Sequence, residues 1–253
     1  IVLGYRLQRR MIPAVAILLH CLGDGAKQVN PYLFRQSLWT PSQSLKASLE
    51  GRVELLQSLG IPTPLVRNLI LRTPRTLFIS EVRLKRVIGE AIILGIKPTS
   101  FKVVEYIQVM LTSCKKTLKK KTNLCRNFGL SEEEISSVFR RKPMFLKLSE
   151  ENIRNSLGFF INRLKMSPSF ISKCPCVVMY SLKNRILPRC AVIEILARKG
   201  FIKSVKLATI MSYSEKYFAG RFIEKYKEDA PEIVIAYKGQ IPFNEFPDWY
   251  ELF

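Results

Sequence analysis

A short punctuation mark recurs along this chain. Apolar–glycine–apolar triplets stand at Leu59-Gly60-Ile61, Leu94-Gly95-Ile96 and Phe128-Gly129-Leu130, followed by the variants Leu164-Lys165-Met166 and Lys199-Gly200-Phe201. Their centres, residues 60, 95, 129, 165 and 200, step by 34 to 36 residues. Glycine just past an apolar stripe ends a helix, because only glycine enters the left-handed region at little cost. Self-similarity at this period marks an array of helical repeats. Lys165 stands where a glycine is expected, so its cap should be mildly strained.

Each unit reads as two helices. Ahead of the cap runs an amphipathic stripe, clearest in Ile153, Leu157, Phe160, Ile161 and Leu164, which recur at helical spacing. After the cap comes a shorter helix with its own start signal. Ser131 with Glu134 forms a capping box, and Ser167-Pro168 supplies an N-cap and first-turn pair. This second helix then meets a proline: Pro74 in LRTPRTLF, Pro143 in RRKPMFL and Pro175 in SKCPCVVM. Proline disfavours helical geometry in the residue before it, so the chain should bend there. The corresponding proline near Met110 is missing. No strand-period segment competes. Units of this kind bury their apolar faces only by stacking, which predicts an all-α, curved α-solenoid with a concave surface.

Charge narrows the function. The 253 residues hold 41 Lys+Arg against 20 Asp+Glu, a formal net charge of +21. A field of that sign favours a polyanionic partner, nucleic acid before membrane. No apolar run reaches the eighteen or so residues of a membrane span, and no membrane partner is expected. Residues 1–49 carry Arg6, Arg9, Arg10, Lys27, Arg35 and Lys46 but only Asp24 as an acid, the composition of an organellar transit peptide. The six cysteines, Cys21, Cys114, Cys125, Cys174, Cys176 and Cys190, lack C-x-x-C spacing and read mostly as buried reduced thiols.

A basic residue sits two positions before each stopping proline: Arg72, Arg141 and Lys173, flanked by Arg75, Arg140 and Lys142. Two readings stand. In one, the first three present one cation per repeat, with the flanking three beside them, to successive phosphates; in the other, these cations satisfy the last carbonyls and the dipole of their helices. A denser run, Lys115, Lys116, Lys119, Lys120 and Lys121, reads as a solvated helix face that also offers a grip on phosphate. Phe139, Phe159, Phe160, Tyr213 and Tyr217 have the helical spacing of core residues, with stacking on a base as the rival role.

Catalytic chemistry finds few tools here. The single histidine, His20, lies in the basic leader, and no phosphate-cradling glycine loop is present. Glu132, Glu133 and Glu134 are better explained as the first turn of a capped helix than as metal ligands. The chain is expected to be no enzyme and to need no cofactor.

The Leu-Gly-Ile caps, the x-Pro-x-Leu/Phe stops, SLKNRILPRCA from Ser181 and SEKYFAGRFIEKYKEDAPEIVIAYKG from Ser214 together resemble the mitochondrial transcription termination factor (mTERF) family, its plant members in particular. The resemblance covers roughly residues 50–240. It implies a crescent of helix–helix–3₁₀ repeats whose positive inner groove holds nucleic acid, usually double-stranded DNA. It further implies a role in regulating or terminating organellar transcription, or in RNA processing in some members. The Lys165 cap and the missing proline near Met110 depart from the pattern. The organisation expected is a leader over 1–49, a repeat domain over 50–240 and a tail over 241–253, in a monomer sited in the mitochondrion or alternatively the chloroplast. An RNA-binding repeat protein, and a repeat scaffold for other proteins, are the alternatives.

Overall fold

The computed structural model describes residues 42–73, 76 and 79–247. The leader up to residue 41, with His20 and Cys21, lies outside the described residues, as do Pro74 and Arg75.

Helices account for the fold, and no strand occurs among the described residues. In chain order they are α1 (Ser42–Ser58), α2 (Thr63–Arg72), α3 (Glu81–Ile93), α4 (Phe101–Thr112), α5 (Lys115–Asn127), α6 (Glu132–Arg141), α7 (Glu150–Leu157), α8 (Pro168–Lys173), α9 (Leu187–Arg198), α10 (Leu207–Ser212), α11 (Glu215–Phe218) and α12 (Glu232–Tyr237). This is the all-α helical-repeat solenoid expected. The chain divides into two compact units, one ending at Lys115 and the other beginning at Lys116.

The glycine caps are where the period placed them. Gly60, Gly95, Gly129 and Gly200 have φ of 81°, 84°, 83° and 76°, and Gly239 adds a further cap at 77°. At each, the residue after the glycine reaches back five positions, as in Ile61 N–H to Leu56 O (3.1 Å) and Phe201 N–H to Leu196 O (2.9 Å). That is the Schellman pattern, which satisfies carbonyls the helix end would leave orphaned. Lys165 adopts φ 54°, the non-glycine residue in this region among those described. Its helix ends differently too. α7 runs on into a π turn, Gly158–Arg163, and Met166 N–H reaches back six positions to Phe160 O at 3.0 Å. The wider turn accommodates one extra residue, which matches the 36-residue step between Gly129 and Lys165.

The proline stops are equally regular. Lys142 (φ −145°, ψ 79°) and Cys174 (φ −128°, ψ 57°) leave helical geometry directly before Pro143 and Pro175, each of which opens a 3₁₀ turn. Thr73 has the same conformation (φ −137°, ψ 70°) at the end of α2. α4, without a proline, ends in extended Ser113 and passes into α5 with no 3₁₀ turn. Ser131 and Glu134 form the reciprocal capping box, whereas Ser167 engages the Ser169 hydroxyl and caps no backbone N–H.

Within each unit, second helices stack on second helices: α2 on α4 in the first, α6 on α8 in the second. Leu56, Leu69, Ile70, Leu84, Ile88 and Ile107 fill the first core at 0% exposure. Phe145, Ile153, Phe160, Ile193, Leu196 and Phe218 do so in the second. Each such side chain contributes about 1.5–3 kcal/mol by leaving water. Of the aromatics singled out above, Phe159 and Phe160 are core, Phe139 and Tyr213 half-buried, and Tyr217 exposed. The thiols depart from expectation: Cys125 and Cys190 are buried, but Cys174 and Cys176 are half-buried and Cys114 is exposed. Past Gly239 the chain packs back on the second unit. Phe243 is buried, Asn244 N–H donates to Glu194 at 2.9 Å, and Arg163 donates to the Phe243 and Asn244 carbonyls.

Candidate nucleic-acid interface

Arg72, Arg141 and Lys173 are the last residues of α2, α6 and α8, each one step before the residue that breaks the helix for a proline. All three are exposed, as is Arg140; Lys142 is half-buried. α6 and α8 bring their basic ends together. Ser137 on α6 donates its hydroxyl proton to the Ser172 carbonyl on α8 at 3.3 Å, and the Ser137 hydroxyl oxygen accepts from Arg141 Nε at 3.3 Å. Lys173 follows Ser172 directly. In the first unit, Arg72 lies over the Phe101 ring with its guanidinium carbon 5.1 Å from the centroid. Phe101 starts α4, so the contact links one repeat to the next and holds the cation over an aromatic face.

Carbonyl capping by cations does occur, but other residues carry it. Arg52 on α1 donates to the Ile79 carbonyl at 2.6 Å. Lys121 on α5 donates to the Leu146 carbonyl, at the 3₁₀ turn of its own repeat, at 2.7 Å. Arg189 on α9 donates to the Ile210 and Tyr213 carbonyls (2.7 and 3.0 Å) around the end of α10. Arg185 reaches the Met211 and Tyr213 carbonyls at 3.1 and 2.5 Å. In each case a cation on the first helix of a repeat ties down the turn that ends the second. Arg72 and Lys173 make no such bond among the described residues, so their charge stays available to a ligand.

Lys121 therefore differs from the rest of its run. Lys115, Lys116, Lys119 and Lys120 are exposed, whereas Lys121 is 7% exposed. Burial pushes its ammonium pKa down, and the nearby Glu150 only partly opposes this. Arg189 is the largest fully buried side chain among the described residues. It pairs with Glu215 at 2.7 Å and lies 4.6 Å from the Phe218 centroid. Sequence reading missed both. For Arg189 a signal existed: one cation inside the apolar stretch Ile186–Ile193, where a charge needs a dedicated partner set.

The acidic run behaves as a helix start. Glu134 closes the capping box, Glu132 pairs with Arg126, and no metal-ligand cluster occurs among the described residues. Nor is any described helix long and apolar enough to cross a membrane.

Glycine caps at a repeat period, proline-opened 3₁₀ turns and stacked second helices define a helical-repeat protein with basic helix ends. The mTERF family profile matches residues 26–219, and the chain belongs to that family. The match reaches back into the segment expected as a leader. Among its relatives is "Transcription termination factor MTEF18, mitochondrial" of Arabidopsis thaliana, 31% identical over 96 residues, or 38% of this chain and 17% of the relative. Another is "Transcription termination factor MTERF8, chloroplastic" of the same plant, 22% identical over 148 residues, or 58% of this chain and 30% of the relative. The matched stretches thus span less than a third of either relative's length. Organellar siting is common to both.

Proposed function

We propose that this protein binds nucleic acid in an organelle, holding double-stranded DNA in the regulation or termination of transcription, and that it acts by binding alone. The observation that carries this reading is the recurrence, at the last position of α2, α6 and α8, of an exposed cation bound to no carbonyl among the described residues. Counterion release from phosphates favours that arrangement. Family membership and the names of the two relatives support the organellar and transcriptional setting. Arg72, Arg140, Arg141, Lys142 and Lys173, together with Arg75 outside the described residues, are the proposed phosphate contacts. The protein acts as a monomer away from membranes, and the leader directs it to the mitochondrion in preference to the chloroplast.

The test is a salt titration of duplex DNA binding by the full chain. Replacing Arg72, Arg141 and Lys173 with Gln should make the slope of log affinity against log salt shallower by roughly 2.7, at about 0.9 per phosphate contact. The same change at Lys115, Lys116 and Lys119 should have a smaller effect. A slope equal to wild type in the first variant rejects the helix-end assignment. Tighter binding to single-stranded RNA than to duplex DNA would replace the DNA reading with the RNA one.

A further inference from the structure

In the second unit, α10 with the loop before it and the π turn that continues α11 (Ala219–Glu224) border an open pocket of about 460 Å³. Lys206, Arg221 and Lys225 stand at this pocket, and no carboxylate lines it. None of the three is ion-paired among the described residues. Arg221 lies 3.5 Å from the Tyr217 hydroxyl and 5.9 Å from the Phe222 ring centroid. Lys225 Nζ lies 4.9 Å from the Tyr226 centroid. Other cations of this unit, among them Arg185, Arg189 and Lys199, are drawn into carbonyl caps or ion pairs. Three cations around one concavity with no carboxylate among its lining residues make a local positive potential.

The walls add a second requirement. Tyr213 and Tyr226 line the pocket with Ile210, and Tyr226 packs against Phe201 at 5.3 Å between ring centroids. A pocket of this size suits a small organic ligand. Cations at the walls with aromatic faces suit a flat ring carrying a phosphate, the ring against tyrosine and the phosphate in charge-assisted hydrogen bonds.

We propose that this pocket binds a nucleoside monophosphate unit, its base against Tyr213 and Tyr226 and its phosphate monoester on Arg221, Lys225 and Lys206. The site is separate from the helix-end cations and stands without them. The unit has two sources, a free nucleotide or the 5′-phosphorylated end of a strand.

The experiment is calorimetric titration of the full chain with AMP, adenosine and inorganic phosphate. AMP should saturate at one site per chain, with adenosine and phosphate each at least tenfold weaker. Arg221→Gln with Lys225→Gln should weaken AMP at least tenfold with an unchanged melting temperature, both side chains being exposed. Tyr226→Leu should bring AMP affinity down towards that of phosphate. The Arg72, Arg141 and Lys173 variant should bind AMP as wild type does, which separates failure of this site from failure of the interface. Phosphate binding as tight as AMP, AMP binding unmoved by these variants, or no saturable AMP binding would each overturn the proposal. Displacement of AMP by a 5′-phosphorylated tetranucleotide but not its 5′-hydroxyl form assigns the strand end. Displacement by neither assigns the free nucleotide. Equal displacement by both overturns the monoester.

Discussion

Ser137 and Ser172, one repeat apart at 35 residues, are joined by a hydrogen bond from the hydroxyl of the first to the carbonyl of the second. The bond stitches the C-terminal halves of α6 and α8 together, and Arg141 Nε donates separately to the Ser137 hydroxyl oxygen. Support and ligand contact are therefore separable at this point. Ser137→Ala should cost about 0.5–1.5 kcal/mol of stability, the net worth of a hydrogen bond, with the DNA salt slope unchanged. Arg141→Gln should do the reverse, removing roughly 0.9 from the slope. Equilibrium urea unfolding paired with the salt titration reads both. A slope that falls in Ser137→Ala would mean that the serine positions the cation for phosphate.

Arg189 is the strongest candidate for a structural cation. Its guanidinium is fully buried, with the Ile210 and Tyr213 carbonyls and the Glu215 carboxylate as partners. Arg189→Met should destabilise the second unit by roughly 2–4 kcal/mol, because the Ile210 and Tyr213 carbonyls lose their shared donor at once, whereas the exposed Glu215 carboxylate turns to water. Arg189→Lys keeps the charge but not the fork of donors and should fall between the two. Urea unfolding of both variants checks the order. A methionine variant as stable as wild type would show that water replaces the arginine.

Why some of this was legible in sequence and some was not follows from range. A glycine at positive φ and a proline that breaks a helix act on their immediate neighbours, so Gly60, Gly95, Gly129, Gly200, Pro143 and Pro175 announce their geometry locally. The positions of Arg141 and Lys173 at helix ends follow from the same rules. Lys121 and Arg189 owe their roles to carbonyls 25 and 21 residues away. Nothing in a lysine run distinguishes the member that turns inward. The π turns were also invisible, since inserting one residue into a helix leaves its apolar pattern nearly intact. The pocket beside α10 depends on the same kind of distant juxtaposition, with Lys206 and Lys225 brought together by packing.

Lys165 tests the cap arithmetic. It holds φ 54°, a region that disfavours an L side chain by about 1–2 kcal/mol. Lys165→Gly relieves that strain, and the added freedom of glycine in the unfolded chain offsets part of the gain. A net gain of about 0.5–1 kcal/mol is expected. Thermal unfolding measures it, with Gly129→Ala as the opposite change at an equivalent cap. A loss of stability in Lys165→Gly would show that the lysine side chain makes a contact that outweighs the backbone cost.

Alkaline pH should weaken the fold through its buried acids. Burial pushes the Cys125 thiol up to about 11 from an ordinary value near 9, with Arg126 only partly offsetting it. Burial likewise raises Cys190, and raises Tyr106 to about 12 with Glu90 adding to the effect. The sign follows from which state ionises first. Above about pH 9 the unfolded chain releases the Cys125 proton while the folded chain keeps it, so the unfolded state binds fewer protons and stability falls as pH rises. The contribution is intact below about pH 9 and is lost progressively as pH climbs towards 11. For Cys125 the loss is on the order of 2–3 kcal/mol, since a gap of one pH unit between the folded and unfolded pKa is equivalent to about 1.4 kcal/mol. Lys121 works the other way, because burial lowers its pKa and the unfolded chain holds its proton longer. The clean measurement is therefore a difference. Urea unfolding from about pH 8 to about pH 11 under reducing conditions should show a steeper decline for wild type than for Cys125→Ala. The alanine variant carries a fixed packing penalty at every pH but has no thiol proton to lose. Parallel declines would mean that Cys125 reaches water before the chain unfolds.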